Sequence, residues 1–191
     1  MLTRRQNPET VPVSQALLAH EEPHWYAIQT RARHEKKVAT QLQSKGATTF
    51  LPLLSQVHHW SDRRKMVHLP LFACYTFMRA VFSPEMCLMV LRTGGVVRLV
   101  GVQGKPLPVP DKQIEDIQTL LAQKVPCKLY PFLRAGQRVR IRGGCLDGIE
   151  GLLVDVKGDR SLVISVDSIL QGVALRIEGY DVEILSPPCP P

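Results

Sequence analysis

The stretch Gly136 to Gly151, GQRVRIRGGCLDGIEG, constrains this chain more than any other, because a two-residue period runs into closely spaced glycine turns. In Gln137 to Arg142, Val139 and Ile141 alternate with Arg138, Arg140 and Arg142. A strand here carries aliphatics on one face and three guanidiniums on the other. Gly143-Gly144 supplies a tight turn, Asp147-Gly148 a second turn signal, and Gly151 leads into the apolar run Leu152 to Val156. Short strands follow at Ser161 to Asp167, Val173 to Ile177 and Tyr180 to Leu185, separated by Lys157-Gly158-Asp159, Gln171-Gly172 and Glu178-Gly179. About five strands in roughly fifty residues, with no helical period among them, predict a small barrel over 136–185, since closure removes exposed sheet edges.

A different pattern precedes it. His24 to Thr30 (HWYAIQT) has the composition of a strand, and Arg31 to Gly46 has helical spacing. Val38 and Leu42 share one face with Glu35 a turn earlier, while Arg33, Lys37, Gln41 and Ser44 or Lys45 form a basic stripe. Thr48 to Leu54 reads as a strand with an edge or bulge at Pro52, Trp60 to Lys65 as a hairpin tip, and Met66 to Arg79 as a long returning strand. Ser83-Pro84-Glu85 opens a helix with Met86, Met89 and Val90 inward, Gly94-Gly95 ends it, and Val96 to Val102 is another strand. Pro110-Asp111 opens a further helix with Ile114, Ile117 and Leu121 at i, i+3 and i+7.

The segment 124–135 contains two prolines and no sustained period, so it reads as a linker. The organisation predicted is a disordered leader over 1–23, an α+β domain over 24–123 with an antiparallel sheet flanked by helices, the linker, the barrel, and a disordered tail over 186–191. The two domains are expected to share little interface.

Bulk properties bound the chemistry. The 191 residues are 45% hydrophobic, enough for a core. No run approaches the roughly 18 apolar residues of a membrane helix, and the first 23 residues lack the apolar segment and cleavage site of a secretory signal. Five cysteines, odd in number and without a C-x-x-C pair, fit reduced thiols, so a soluble cytoplasmic chain with no membrane partner is expected. A formal net charge of +7 suits a polyanionic neighbour and is equally a property of many soluble proteins. His58, His59 and His68 have no acidic or cysteine spacing to complete a metal site, and Ser61-Asp62 lacks the context of a nucleophile. The glycines of 143–151 miss both phosphate-loop patterns. No metal, cofactor or catalytic role is expected.

Gly136 to Gly151 resembles the KOW motif of NusG-type transcription elongation factors, and the order of elements from His24 to Leu185 is similar to a whole protein of that family. The amino-terminal likeness rests on Trp25-Tyr26, on Phe50-Leu51-Pro52, on Pro70-Leu71-Phe72-Ala73-Cys74-Tyr75-Thr76-Phe77 and on Thr93-Gly94-Gly95-Val96. Ala73 stands where the family usually carries a proline. The leader, the leucine-proline of the second strand and the short hairpin tip look more like the specialised RfaH and UpxY-like antiterminators. The resemblance implies a monomeric factor whose NGN-like domain binds the clamp helices of the largest RNA polymerase subunit and reaches the gate loop, suppressing pausing. It also implies an SH3-like KOW barrel that contacts a small-subunit ribosomal protein or the Rho terminator. No bond is made or broken by such a factor.

Two surfaces follow as candidates. Tyr75 and Phe77 leave the same strand face, which on spacing alone is either an aromatic pad for a coiled coil or a core-facing pair. The resemblance favours polymerase contact, with Phe72, Trp25 and Tyr26 as neighbours. Arg31, Arg33, Lys36 and Lys37, continuing to Lys45, are either a solvated helix face or, as the likeness to RfaH implies, lie beside the displaced non-template DNA strand with Arg92 and Thr93. Met86-Cys87-Leu88 stands where relatives present polar residues to the gate loop. In the barrel, Arg138, Arg140 and Arg142 are open to RNA or an acidic protein, and Ile169 and Leu170 are candidates for a partner-binding edge. The function expected is elongation or antitermination by binding polymerase. The alternative, a ribosome-associated or RNA-binding KOW protein, has no need of the aromatic strand and helices of Trp25 to Gln123.

Overall fold

Strand β1 (His24–Thr30) is buried on both sides, and that decides the first half of the molecule. Tyr26 and Ile28 face one core cluster, and Trp25 and Ala27 face another, as the two-residue period of a strand requires. The computed structural model describes residues 22–59, 64–102, 104–131, 136–156 and 159–186. Residues 60–63 of the hairpin tip expected over 60–65, residues 1–21 of the leader, residues 187–191 of the tail, and the side chains of His58 and His59 lie outside what is described.

After β1 come α1 (Glu35–Ser44), β2 (Thr48–Phe50), β3 (Leu53–His59), β4 (Arg64–Pro70), β5 (Tyr75–Ala80), α2 (Pro84–Leu91), β6 (Val96–Leu99), β7 (Gly101–Val102), β8 (Lys105–Pro106), β9 (Pro108–Val109) and α3 (Asp111–Ala122). The main sheet has the order β2-β5-β1-β6, with β9 also pairing β1, and every pairing is antiparallel. Val38 and Leu42 of α1 and Met86 and Val90 of α2 pack on Tyr26, Ile28 and Met78. Ile114, Ile117 and Leu120 of α3 belong to the cluster on the other side, with Trp25, Phe72 and Phe77. The α+β architecture is therefore a sheet sandwiched between two helices and a third.

Two strands predicted as continuous are broken. The run 48–54 divides at Leu51-Pro52, where proline has no N–H to give a ladder, and Leu71 N–H donates instead to Pro52 O at 2.8 Å. The run 66–79 divides at Leu71 to Cys74, because Cys74 adopts φ 66, a left-handed geometry that a ladder cannot continue. β3 and β4 then project as a separate two-stranded ribbon. The turn at Cys74 is anchored by Glu35, whose buried carboxylate Oε1 accepts the Cys74 N–H at 2.8 Å, and by Thr30 N–H on Cys74 O at 2.8 Å.

The second half contains β10 (Cys127–Pro131), β11 (Gln137–Arg142), β12 (Glu150–Val156), β13 (Asp159–Val166), β14 (Gln171–Arg176) and β15 (Asp181–Ser186). They form one antiparallel sheet in the order β10-β14-β13-β12-β11-β15 around Val139, Ile141, Leu162, Ile164, Val173 and Leu175. Gly143 and Gly144 have φ of 77 and 71, and Asp147 Oδ1 accepts the Gly143 N–H at 2.7 Å, so the turn read from the glycines is closed by the aspartate beside them.

The expected linker is shorter than its composition indicated. Cys127 to Pro131 is a strand paired with β14, since its backbone completes an edge of the second sheet even without a side-chain period. The expectation of little interface is also corrected. Helix α3 packs on both β1 and β13, and one hydrophobic cluster runs from Trp25 and Phe77 through Ile114, Ile117 and Leu120 to Ile141 and Ile164. The helix is apolar over two adjacent faces, and both need cover.

Cys74→Gly tests the strained turn. Glycine adopts positive φ without the Cβ penalty, so the variant is expected to be more stable by about 1 kcal/mol after allowing for its greater unfolded-state freedom. Denaturant midpoints of the two proteins measure it, and an unchanged or lowered midpoint contradicts the strain.

Candidate functional site

The aromatic residues are assembled by the register between β1 and β5, in which Trp25 faces Arg79, Tyr26 faces Met78 and Ala27 faces Phe77. Trp25, Tyr75 and Phe77 consequently lie on one side of the sheet. Phe72 and Phe77 meet edge to face with centroids 6.1 Å apart, Phe50 and Phe77 lie 6.2 Å apart, and Trp25 meets Phe50 at 6.2 Å. The sequence expectation of five accessible aromatics is corrected here. Phe72 and Phe77 are fully buried, Trp25 is 8% exposed, and Tyr26 is on the opposite side beside Phe82. Burial pushes the Tyr26 phenol up, with the Cys87 thiol adding to the effect. The reason is that both faces of β1 and β5 are covered by helices. Tyr75 is packed against the cluster yet partly exposed.

The basic residues form a surface with an internal brace. Arg31 N–H donates to Gly95 O at 2.8 Å, so the loop before α1 lies against the turn after α2. Gly95 makes this approach possible: its φ is +103, and a Cβ there would stand 3.0 Å from the His34 ring. Arg31, Arg33, Lys36, Lys37, Lys45 and Arg92 are exposed, and Thr93 is buried. Two of these cations are occupied. Lys36 Nζ donates to His68 O at 2.8 Å, which ties α1 to the β3–β4 ribbon. Lys45 Nζ donates to Thr93 Oγ1 at 2.7 Å, and Thr93 Oγ1 donates to Met89 O at 2.8 Å, so these two candidates serve each other and the end of α2. Among the described residues, Arg31, Arg33, Lys37 and Arg92 make no ion pair.

The carboxy-terminal candidates divide differently from expectation. Arg140 donates to Glu150 Oε1 through Nε at 3.0 Å and Nη2 at 2.6 Å, Arg138 reaches Glu150 at 3.4 Å, and Arg142 pairs with Glu183. The three guanidiniums thus ladder onto acids of the neighbouring strands, which withdraws them as a free basic face. Arg140 holds the Glu150 carboxyl below the usual carboxylate range. Ile169 is 6% exposed in a short turn that packs against β9, whereas Leu170 is 56% exposed with φ 52. Only Leu170 of this pair faces outward.

On α2, Ser83 Oγ accepts the Met86 N–H at 3.0 Å and caps the helix as read from the sequence. Met86 is buried and Leu88 is half exposed, so the start of α2 presents an apolar side chain. Among the described residues, no group of three or more His, Cys, Asp or Glu is placed to hold a metal ion. No described helix is long and apolar enough to cross a membrane. Sequence reasoning missed the polar residues of α3 that touch the second sheet, Lys112, Gln113 and Asp116. The signal was present: Gln113, Asp116 and Leu120 repeat the i, i+3, i+7 spacing on the face next to Ile114, Ile117 and Leu121.

A family profile described as "Transcription termination factor nusG" matches residues 23–118. The "Transcription termination/antitermination protein NusG" of Lactococcus lactis is 26% identical over 171 residues, covering 83% of this chain and 91% of that protein. Its namesake in Borreliella burgdorferi is 24% identical over 179 residues, covering 83% and 97%. A solved structure, "Domain interaction in Thermotoga maritima NusG", is alike in fold, with a TM-score of 0.53 and 19% identity over 86% of this chain and 98% of that one.

The brace separates two kinds of lysine and arginine. In binding to single-stranded DNA followed by fluorescence anisotropy across a salt titration, Arg33→Ala is expected to lower the slope of log K against log salt by about 0.7. Lys45→Met is expected to weaken binding by loosening the Thr93 turn while leaving the slope in place. Equal slopes for Arg33→Ala and the parent would assign Arg33 to a solvated face.

Proposed function

The chain belongs to the NusG family of transcription termination and antitermination factors, and from that premise we propose that it binds RNA polymerase during elongation, suppresses pausing and modulates termination. The observation that carries the reading is the family match over 23–118, which includes the strand bearing Tyr75. Tyr75 is then the exposed edge of a rigid aromatic cluster, suited to the apolar side of the clamp helices of the largest subunit. Phe72, Phe77 and Trp25 act beneath it, fixing its height and angle. Leu88 at the start of α2 meets the gate loop by packing in place of hydrogen bonding.

The remaining surfaces fit the same assembly. Arg31, Arg33, Lys37 and Arg92 lie beside the non-template DNA strand as phosphate contacts, which position the factor without reading sequence. The carboxy-terminal sheet offers Leu170 to a small-subunit ribosomal protein or to Rho. A ribosome-bound KOW protein is the lesser reading, because relatives named for transcription align over 83% of the chain, across both halves. No chemistry is required of the factor. Its effect is the difference in its affinity for two polymerase states, since a ligand bound equally to both shifts neither.

Two measurements test the proposal. In a single-round transcription assay with its cognate polymerase, titration of the factor is expected to shorten pauses or to change terminator read-through, and flat responses to saturation would refute it. Tyr75→Ala is expected to weaken polymerase binding by about 2 kcal/mol, roughly thirtyfold, with an unchanged circular dichroism spectrum. Undiminished binding would remove Tyr75 from the interface.

A further inference from the structure

We infer that the amino-terminal segment Val11 to Ala19 seats in cis on the exposed apolar side of α2. Among the eight residues of that helix Glu85 is the only charged one. Met86 and Val90 are buried against the main sheet, while Leu88 and Leu91, one turn apart and therefore neighbours, are each 50% exposed. Val97 of β6, which packs against α2, and Val81, in the segment joining β5 to α2, are exposed as well. Apolar side chains scattered singly over a surface call for no partner, but these gather on one short helix and the segments flanking it. A helix apolar on nearly every side is stable when every side is covered.

The chain enters the structure beside this surface. His24 faces Ala80 in the register of β1 and β5, and Arg79 Nε donates to Pro23 O at 3.4 Å, so residue 23 is held at the end of β5 from which Val81 and α2 continue. Two faces of the sheet are open to the segment that precedes it. On the α3 side stand Arg79 and Asp111, paired at 3.6 Å and each nearly half exposed, which an apolar chain would have to desolvate. On the α2 side stand Ala80 and Phe82, the latter 6.4 Å from the Tyr26 ring, and then the exposed aliphatics.

The preceding sequence has the matching chemistry at the matching distance. Val11 to Ala19 (VPVSQALLA) carries no charge, and its densest part, Ala16-Leu17-Leu18-Ala19, is separated from Pro23 only by His20, Glu21 and Glu22. The four steps from Ala19 to Pro23 reach at most about 14 Å, enough to bring Ala19 to the start of α2. Pro84 to Leu91 rises about 10 Å, and nine residues span at least about 12 Å even when helical, so the run is long enough to lie along the whole helix. A tether this short holds the segment at about millimolar local concentration, which favours it over a second copy of the chain. Seated there, it occupies the surface that Leu88 offers, so a protein partner reaching α2 has to displace it. That consequence rests on the reading in which Leu88 meets polymerase, whereas the seat itself does not.

Methyl NMR on the full chain tests the seat without polymerase. Nuclear Overhauser contacts are expected from the methyls of Leu17 and Leu18 to those of Leu88 and Leu91, and an isotope-filtered experiment on mixed labelled and unlabelled protein is expected to place them within one chain. The double variant Leu17→Gln with Leu18→Gln alters none of the residues that build the sheets and helices, and is expected to lose these contacts. A synthetic peptide of residues 8–21 is expected to bind that variant at least about threefold more tightly than the parent, whose own segment competes for the site. Leu88→Gln with Leu91→Gln, an exchange of exposed side chains, is expected to abolish peptide binding with an unchanged circular dichroism spectrum. Absence of contacts between residues 11–19 and α2, contacts found only between different chains, a peptide that does not bind the leader variant, or equal peptide affinity for parent and leader variant would each overturn the inference. Failure of any of these leaves the transcription reading untouched, and a flat transcription assay leaves the seat untouched.

Discussion

Helix α3 has to satisfy two sheets at once, and the arrangement of the molecule depends on it. Ile114, Ile117 and Leu120 are all inaccessible, and they join the aromatic cluster under β1 and β5 to the interior of the second sheet. A helix twelve residues long has room for one wide apolar stripe, and here that stripe is divided between two neighbours. The polar residues at its margin then cannot be indifferent. Lys112, Gln113 and Asp116 each find a partner across the boundary, so the junction has a defined register in addition to its apolar adhesion.

The amino-terminal surface is fixed by a second set of ties, each of which satisfies a backbone group that a turn would leave bare. Glu35 holds the Cys74 turn, Gly95 O holds the Arg31 loop, and Lys45 with Thr93 closes the end of α2. A hydrogen bond to a charged group contributes about 1.5–3 kcal/mol. Removing Glu35 would accordingly disturb Tyr75, one residue beyond the turn, without either residue touching the other. The turn before the aromatic strand is held from α1 by Glu35, and the basic loop is held from the turn after α2 by Gly95.

Much of this was legible in the sequence where period and punctuation agreed. Gln137 to Arg142 is a strand over the residues that the alternation marks, and Ser83-Pro84-Glu85 opens α2 with the serine as its cap. The failures have physical causes. Cys74 gave no signal of positive φ, because that conformation is imposed by Glu35 and Thr30 from elsewhere in the chain. Cys127 to Pro131 lacks alternation because an edge strand can be recruited through its backbone alone. The five aromatics were placed correctly on strands or beside them, yet spacing within one strand does not say that a helix arriving from Asp111 onward covers that face. The arginines of β11 looked free since their acids, Glu150 and Glu183, come from other strands.

The ladder of arginines and glutamates on the second sheet has an effect that reaches beyond its own stability. Residues 124–191 hold 9 Lys and Arg against 8 Asp and Glu, while residues 1–123 hold 15 against 9. With its guanidiniums neutralised in place, the carboxy-terminal half is close to electrically silent, and nearly the whole positive excess sits on the other half. Such a molecule has a large charge dipole. Near a polyanion it experiences a torque as well as an attraction, and it approaches with its amino-terminal side leading. That alignment acts over about 8–10 Å at physiological ionic strength, so orientation is selected before any side chain makes contact.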